Sequence, residues 1–149
     1  MTKIRLLGIV PYESLGTLMK QIIKTYEMID LDVYIGNLEQ AIEVANQYAK
    51  KNYDAIISRG ETAKLLKNHS TIPVFEIPIS SYDLLQPLQM ALVASKRIAI
   101  VGYSSLTGPA YNVKNLLSLI PNSILEIITI TNTTDIHMEL EQLKTKTLT

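Results

Sequence analysis

The chain has no cysteine among its 149 residues. That removes disulfide staples, thiol nucleophiles and thiolate metal sites, and agrees with a reducing compartment. It also lacks an excess of either charge: lysine plus arginine number 14, and aspartate plus glutamate 14. Without a basic field nothing holds a phosphate backbone, so this region is expected to contact no nucleic acid. No apolar run approaches the about 20 residues of a membrane span, and the short one in MTKIRLLGIVPYE has no small-residue cleavage site. A cytoplasmic protein away from membranes is expected. His69 and His137 have no partners at metal-ligand spacing, and no acid pair reads as a general acid and base. Neither metal, cofactor nor catalytic residue is expected.

What is present is a regular alternation. Strand-like runs rich in Ile and Val occupy 3–10, 31–35, 53–58, 72–77, 97–102 and 124–130. They are mostly continuous rather than alternating, which suits strands covered on both faces. Between them, apolar residues recur at helical spacing over 14–28, 38–51, 61–68, 83–94, 108–119 and 135–146. This order predicts an α/β fold with parallel sheets and right-handed crossovers. Ser80 and Asp83 have capping-box spacing, and Pro87 is expected to kink or restart the helix that follows. A division into lobes at 1–85 and 86–149 is expected there.

Ligands of such folds sit on loops at the carboxyl ends of the strands. In YDAIISRGETAKLLK the third strand ends on Ser58-Arg59-Gly60, just where a helix begins. Free N–H groups at a helix start favour an anion, and a guanidinium beside them grips a carboxylate with two hydrogen bonds. The alternative for Arg59 is a surface salt bridge. Gly60 either allows a close approach or merely starts the helix, and Thr62 offers a hydroxyl. Ser80, Ser81 and Tyr82 follow the fourth strand; one serine suffices for a cap, leaving the second hydroxyl and the Tyr82 phenol to face a cleft. Ser104 after the fifth strand and Tyr12 after the first complete the rim, with turn and capping chemistry as the alternatives. Other α/β classes lack their chemistry here. The third strand ends without the aspartate of a phosphate receiver, and neither G-x-G-x-x-G nor G-x-x-x-x-G-K-[ST] occurs.

The segments YDAIISRGETAKLLK, IPVFEIPISSYDLLQPLQMAL and KRIAIVGYSSL resemble the N-terminal sensor domain of propionate-catabolism-activator-type, sigma-54-dependent transcriptional regulators. The resemblance implies two Rossmann- or flavodoxin-like lobes, similar to a periplasmic binding protein, that close on a small anionic effector such as a tricarboxylate. It places effector contacts on Ser58, Arg59, Gly60 and Thr62 and on Ser80, Tyr82 and Asp83. It also implies AAA+ ATPase and DNA-binding domains in the full-length protein. Two departures stand out: Glu61 replaces a glycine frequent in the family, and Pro87 interrupts a usually continuous helix. The second lobe is expected to be incomplete, with exposed sheet edges that a homodimer could cover.

These features point to a ligand-binding sensor without catalysis of its own. A small isomerase, racemase or lyase acting on an organic acid is the alternative, and would need Glu13, Glu61 or Tyr82 for proton transfer. A dimerisation module with a vestigial cleft is a third.

Overall fold

The computed structural model describes residues 2–147. Two compact units divide the chain, Met1–Pro78 and Ile79–Thr149. The boundary therefore falls ahead of the 85/86 division expected from sequence, which would cut through a helix.

Unit 1 contains β1 (Ile4–Val10), α1 (Glu13–Ile23), β2 (Ile29–Ile35), α2 (Glu39–Tyr48), β3 (Ala55–Arg59), α3 (Gly60–His69) and β4 (Val74–Ile77), with a single 3-10 turn at Ala49–Lys51. All strand pairs are parallel, in the order β2-β1-β3-β4. Parallel strands need crossovers, and the intervening helical segments supply them. Side chains alternate across each strand. Leu7, Ile9 and Ile56 accordingly pack with Ala41, Ala45 and Leu66 of α2 and α3, whereas Val10 and Ile57 pack with Leu15 and Met19 of α1. The sheet is thus covered on both faces. Helix α1 lies so close to β2 that a Cβ on Gly16 would stand 2.9 Å from a Val33 methyl. Complete burial of a side chain such as Leu66 contributes about 1.5–3 kcal/mol.

Unit 2 contains α4 (Ser81–Ala94), β5 (Arg97–Gly102), α5 (Ser104–Leu117), β6 (Ile124–Thr129) and α6 (Asp135–Thr147). Its sheet is the parallel pair β5-β6, in register from Arg97↔Ile124 to Gly102↔Thr129. Leu84 and Leu88 of α4, Ala110, Val113 and Leu117 of α5, and Leu125 of β6 form the core. Inside unit 2, Thr107 and Thr129 exchange a hydrogen bond of 2.7 Å, so the buried hydroxyl of Thr107 is satisfied.

Pro87 behaves differently from the expectation. It withholds an N–H from the carbonyl four residues back, yet α4 runs unbroken through it. Pro87 is on the exposed side, while the buried Leu84 and Leu88 hold the helix against the core on both sides of it. Packing here outweighs one lost hydrogen bond. Helix α5 likewise runs through Pro109.

Candidate functional site

In unit 1 the chain passes from β1 to β2 on one side, then crosses over to β3 on the other. Winding reverses between β1 and β3, and at such a switch point the helices on either side diverge and leave a crevice above the strand ends. Two segments border it: Pro11-Tyr12 running into α1, and Ser58-Arg59 running into α3. The Arg59 guanidinium donates a hydrogen bond of 3.2 Å to the Tyr12 hydroxyl, so the two residues meet over this point. Tyr12 and Arg59 are also the N-cap residues of α1 and α3, and neither uses its side chain as a cap. Neither N-cap supplies a side-chain acceptor to the first turn of its helix, where the helix dipole favours negative charge.

Gly60 has φ 61°, a conformation that costs a residue with a Cβ about 1–2 kcal/mol. It turns the chain directly from strand to helix while keeping Arg59 extended, at φ −129° and ψ 143°. Side-chain alternation puts Arg59 on the α1 face of the sheet, toward Tyr12, and Ser58 on the face that carries α2 and α3. Ser58 is fully buried and its Oγ has no hydrogen-bond partner; the same holds for the buried Oε2 of Glu61 in the first turn of α3. The Lys64 ammonium forms an ion pair with that oxygen at 4.0 Å, beyond hydrogen-bond reach.

The Thr62 hydroxyl, expected to face a ligand, is occupied. It donates to Asn37 Oδ1 at 3.0 Å and accepts from the Leu38 N–H at 3.2 Å. Leu38 sits at φ 50°, ψ −119°, strained backbone for a residue with a side chain, and Thr62 holds it there. Thr62 therefore braces the loop after β2 at the same rim. Sequence reasoning passed over this loop, since Gly36-Asn37-Leu38 has neither hydroxyl nor arginine; the Gly-Asn pair was its only signal.

In unit 2 the predicted residues are mostly engaged in local structure. Ser80 and Asp83 form the reciprocal capping box of α4: the Ser80 Oγ accepts from the Asp83 N–H, and the Asp83 carboxylate accepts from the Ser80 N–H at 2.8 Å. The Ser81 hydroxyl, expected to face a cleft, donates to the Pro109 carbonyl at 3.1 Å and accepts from Asn112 at 3.4 Å. It ties α4 to α5. Tyr82 is 82% exposed on the outer side of α4, beside Gln86 and Gln89. Ser104 is the exposed first residue of α5.

A second polar cluster lies at the other end of the unit 1 sheet. Tyr53 precedes β3 and donates to the Asp32 carboxylate at 2.6 Å, with the Arg5 guanidinium 5.0 Å above its ring. Burial first, then the hydrogen bond to Asp32, push the Tyr53 phenol well above its ordinary pKa. Tyr34 and Tyr48 stack nearby, with centroids 3.9 Å apart. These groups satisfy one another and leave no donor set for a ligand. Among the described residues no group of three or more His, Asp or Glu could hold a metal ion, and no helix is long and apolar enough to cross a membrane.

Comparison with known proteins agrees with this architecture. A crystal structure of an NtrC family transcriptional regulator from Clostridium acetobutylicum matches with a TM-score of 0.80 at 18% sequence identity, covering 99% of this chain and 75% of that one. At that identity the likeness shows the fold. No curated protein matches the chain. Residues 25–149, however, match the family described as propionate catabolism activator, and a family match over most of the sequence settles membership. The chain belongs to the propionate catabolism activator family.

Proposed function

We propose that the chain is the effector-sensing part of a cytoplasmic, sigma-54-dependent transcriptional regulator and that the crevice over β1 and β3 takes a carboxylate of a small organic acid. The meeting of Arg59 with Tyr12 over the switch point carries the reading. A carboxylate accepts two parallel hydrogen bonds from a guanidinium and gains from charge. The first turns of α1 and α3 add backbone donors on both sides.

In this reading Gly60 sets the turn, Tyr12 contributes a hydroxyl, Ser58 stays enclosed on the other face of β3, and Thr62 holds the neighbouring loop. Tyr82 and Ser104 are the unit 2 residues whose exposure suits ligand contact. No residue is asked to move a proton. Effector binding favours one conformation of the sensor, and that conformation changes how it acts on a AAA+ ATPase elsewhere in the polypeptide. Family membership in an activator supports this reading over an enzyme.

The test is a thermal-shift and calorimetric screen of wild type and Arg59→Ala against small mono-, di- and tricarboxylates and amino acids. An acid at a hundred times its Kd adds about 2.7 kcal/mol to wild-type stability. The expected result is an acid that stabilises wild type and leaves Arg59→Ala unmoved. An equal response from the variant would remove Arg59 from the site.

A further inference from the structure

Helix α4 is apolar on two sides. Leu84 and Leu88 face the core of unit 2, as one side of a surface helix should. The other side of such a helix is ordinarily charged, and α6 carries Asp135, Glu139, Glu141, Lys144 and Lys146. On α4 the exposed Tyr82, Leu85, Gln86, Gln89, Met90 and Val93 are apolar or neutral, and Asp83, its one charged residue, serves the capping box. Tyr82 is 82%, Met90 70% and Val93 90% exposed. A helix that is apolar on all sides is normally enclosed on all sides.

At about 3.6 residues per turn the six exposed side chains make one stripe. Its centre line is Tyr82, Gln86, Gln89 and Val93, at the alternating four- and three-residue spacing of a coiled-coil seam. The stripe reads the same from either end: two apolar residues and a glutamine, then a glutamine and two apolar residues. Its positions are symmetric about the bond between Pro87 and Leu88. Such a stripe is complementary to its own copy laid antiparallel across a twofold axis. We infer that the chain forms a homodimer through α4 in this way, independently of the Arg59 assignment and away from the edges of the β5-β6 sheet. Tyr82 packs on Val93 of the partner subunit, a large side chain on a small one, with the phenol hydroxyl left at the rim. Gln86 meets Gln89 of the partner subunit, and each amide offers both a donor and an acceptor. Leu85 from both copies closes one flank, and Met90 from both closes the other.

Neutrality favours a second copy over another partner. A charged stripe repels its own copy and selects an opposite charge, whereas this one has no charge to oppose. The central amides fix register, because a slip sets a glutamine against an apolar side chain. A helix of 14 residues is about 21 Å long. One contact of that length falls short of the about 800 Å² per partner of a standard interface, so the dimer should dissociate on dilution.

The test is sedimentation velocity over a concentration series on the chain and on Met90→Glu, Met90→Lys and Val93→Glu, with circular dichroism to check that each variant folds. The expected result is a concentration-dependent dimer that each variant weakens tenfold or more. An equimolar mixture of Met90→Glu and Met90→Lys should associate again, since the two copies of residue 90 lie side by side. The chain has no cysteine, so Tyr82→Cys and Val93→Cys each give a single thiol. Under mild oxidation the two variants should cross-link to each other, while like thiols, about 16 Å apart along the helices, should not. Self-linking of Tyr82→Cys would overturn the antiparallel pairing. A dimer that Met90→Glu and Val93→Glu leave intact uses another face and overturns the proposal. So does a chain that stays monomeric; slow alkylation of Val93→Cys in that monomer would mean that another part of the polypeptide lies on α4.

Discussion

Units 1 and 2 repeat one strand-and-helix rhythm and both have hydroxyl-bearing loops, but they put those loops to different use. In unit 1 the winding reverses between β1 and β3, and Tyr12 and Arg59 meet over the reversal with two helix starts lacking side-chain caps. In unit 2 two strands pair without a reversal among the described residues, and the serines go to capping and packing. Loop composition alone therefore does not make an anion site. Topology decides which helix starts face an opening, and a single arginine is informative only when it stands there.

The cores differ in the same direction. The large side chains with essentially no exposure include Leu7, Ile9, Val10, Ile56 and Leu66 in unit 1, where two helical layers enclose a four-stranded sheet. The core leucines of unit 2, Leu84, Leu88, Leu117 and Leu125, each keep slight exposure. The largest expected effect follows from this. Leu66→Ala should cost about 2–5 kcal/mol in denaturant unfolding, and Leu88→Ala should fall toward the low end of that range. Equal costs would erase the distinction between the two cores.

Two glycines test the backbone side of the comparison. Gly60→Val imposes a β-branched side chain at φ 61° and should destabilise by about 1–2 kcal/mol. Gly108 lies inside α5, where a Cβ would meet nothing within 4 Å, so Gly108→Ala should stabilise by about 0.5–1 kcal/mol. Opposite signs in thermal unfolding support the assignment of Gly60 to the site turn; a neutral Gly60→Val would end it.

The smallest effect concerns the unit 2 hydroxyls. Ser80→Ala removes the capping box of α4 and should cost about 1 kcal/mol. Its effect on affinity for an acid that depends on Arg59 should be within twofold. Tighter dependence on Ser80 than on Arg59 would invert the contrast between the loops.

Much of the fold was legible in the sequence. Among the described residues the six strands and six α-helices fall close to their expected positions, because runs such as KIRLLGIV and IAIVG have no helical period and the segments between them do. Helix α1 stops at Ile23 rather than near 28, since the residues after it turn back to enter β2. Pro87 misled, because a local rule about a missing N–H does not register the two buried leucines that flank it. Of the proposed site, the strand-end positions of Arg59, Gly60 and Tyr12 could be read from the sequence. The roles of Ser81 and Thr62 could not, since their partners Pro109 and Asn37 are more than 20 residues away in sequence.

The sequence by itself determined the alternation of strand and helix, the absence of cysteine chemistry, the balance of charge and an arginine at the end of the third strand. Each is a property of composition or of near neighbours, and local periodicity carries it. Only the tertiary structure decided the strand order, the meeting of Tyr12 with Arg59, the bracing of Leu38 by Thr62, and the enclosure of the Ser58 hydroxyl and a Glu61 carboxylate oxygen. Those depend on which distant segments the crossovers bring together, and on which polar atoms the packing then encloses.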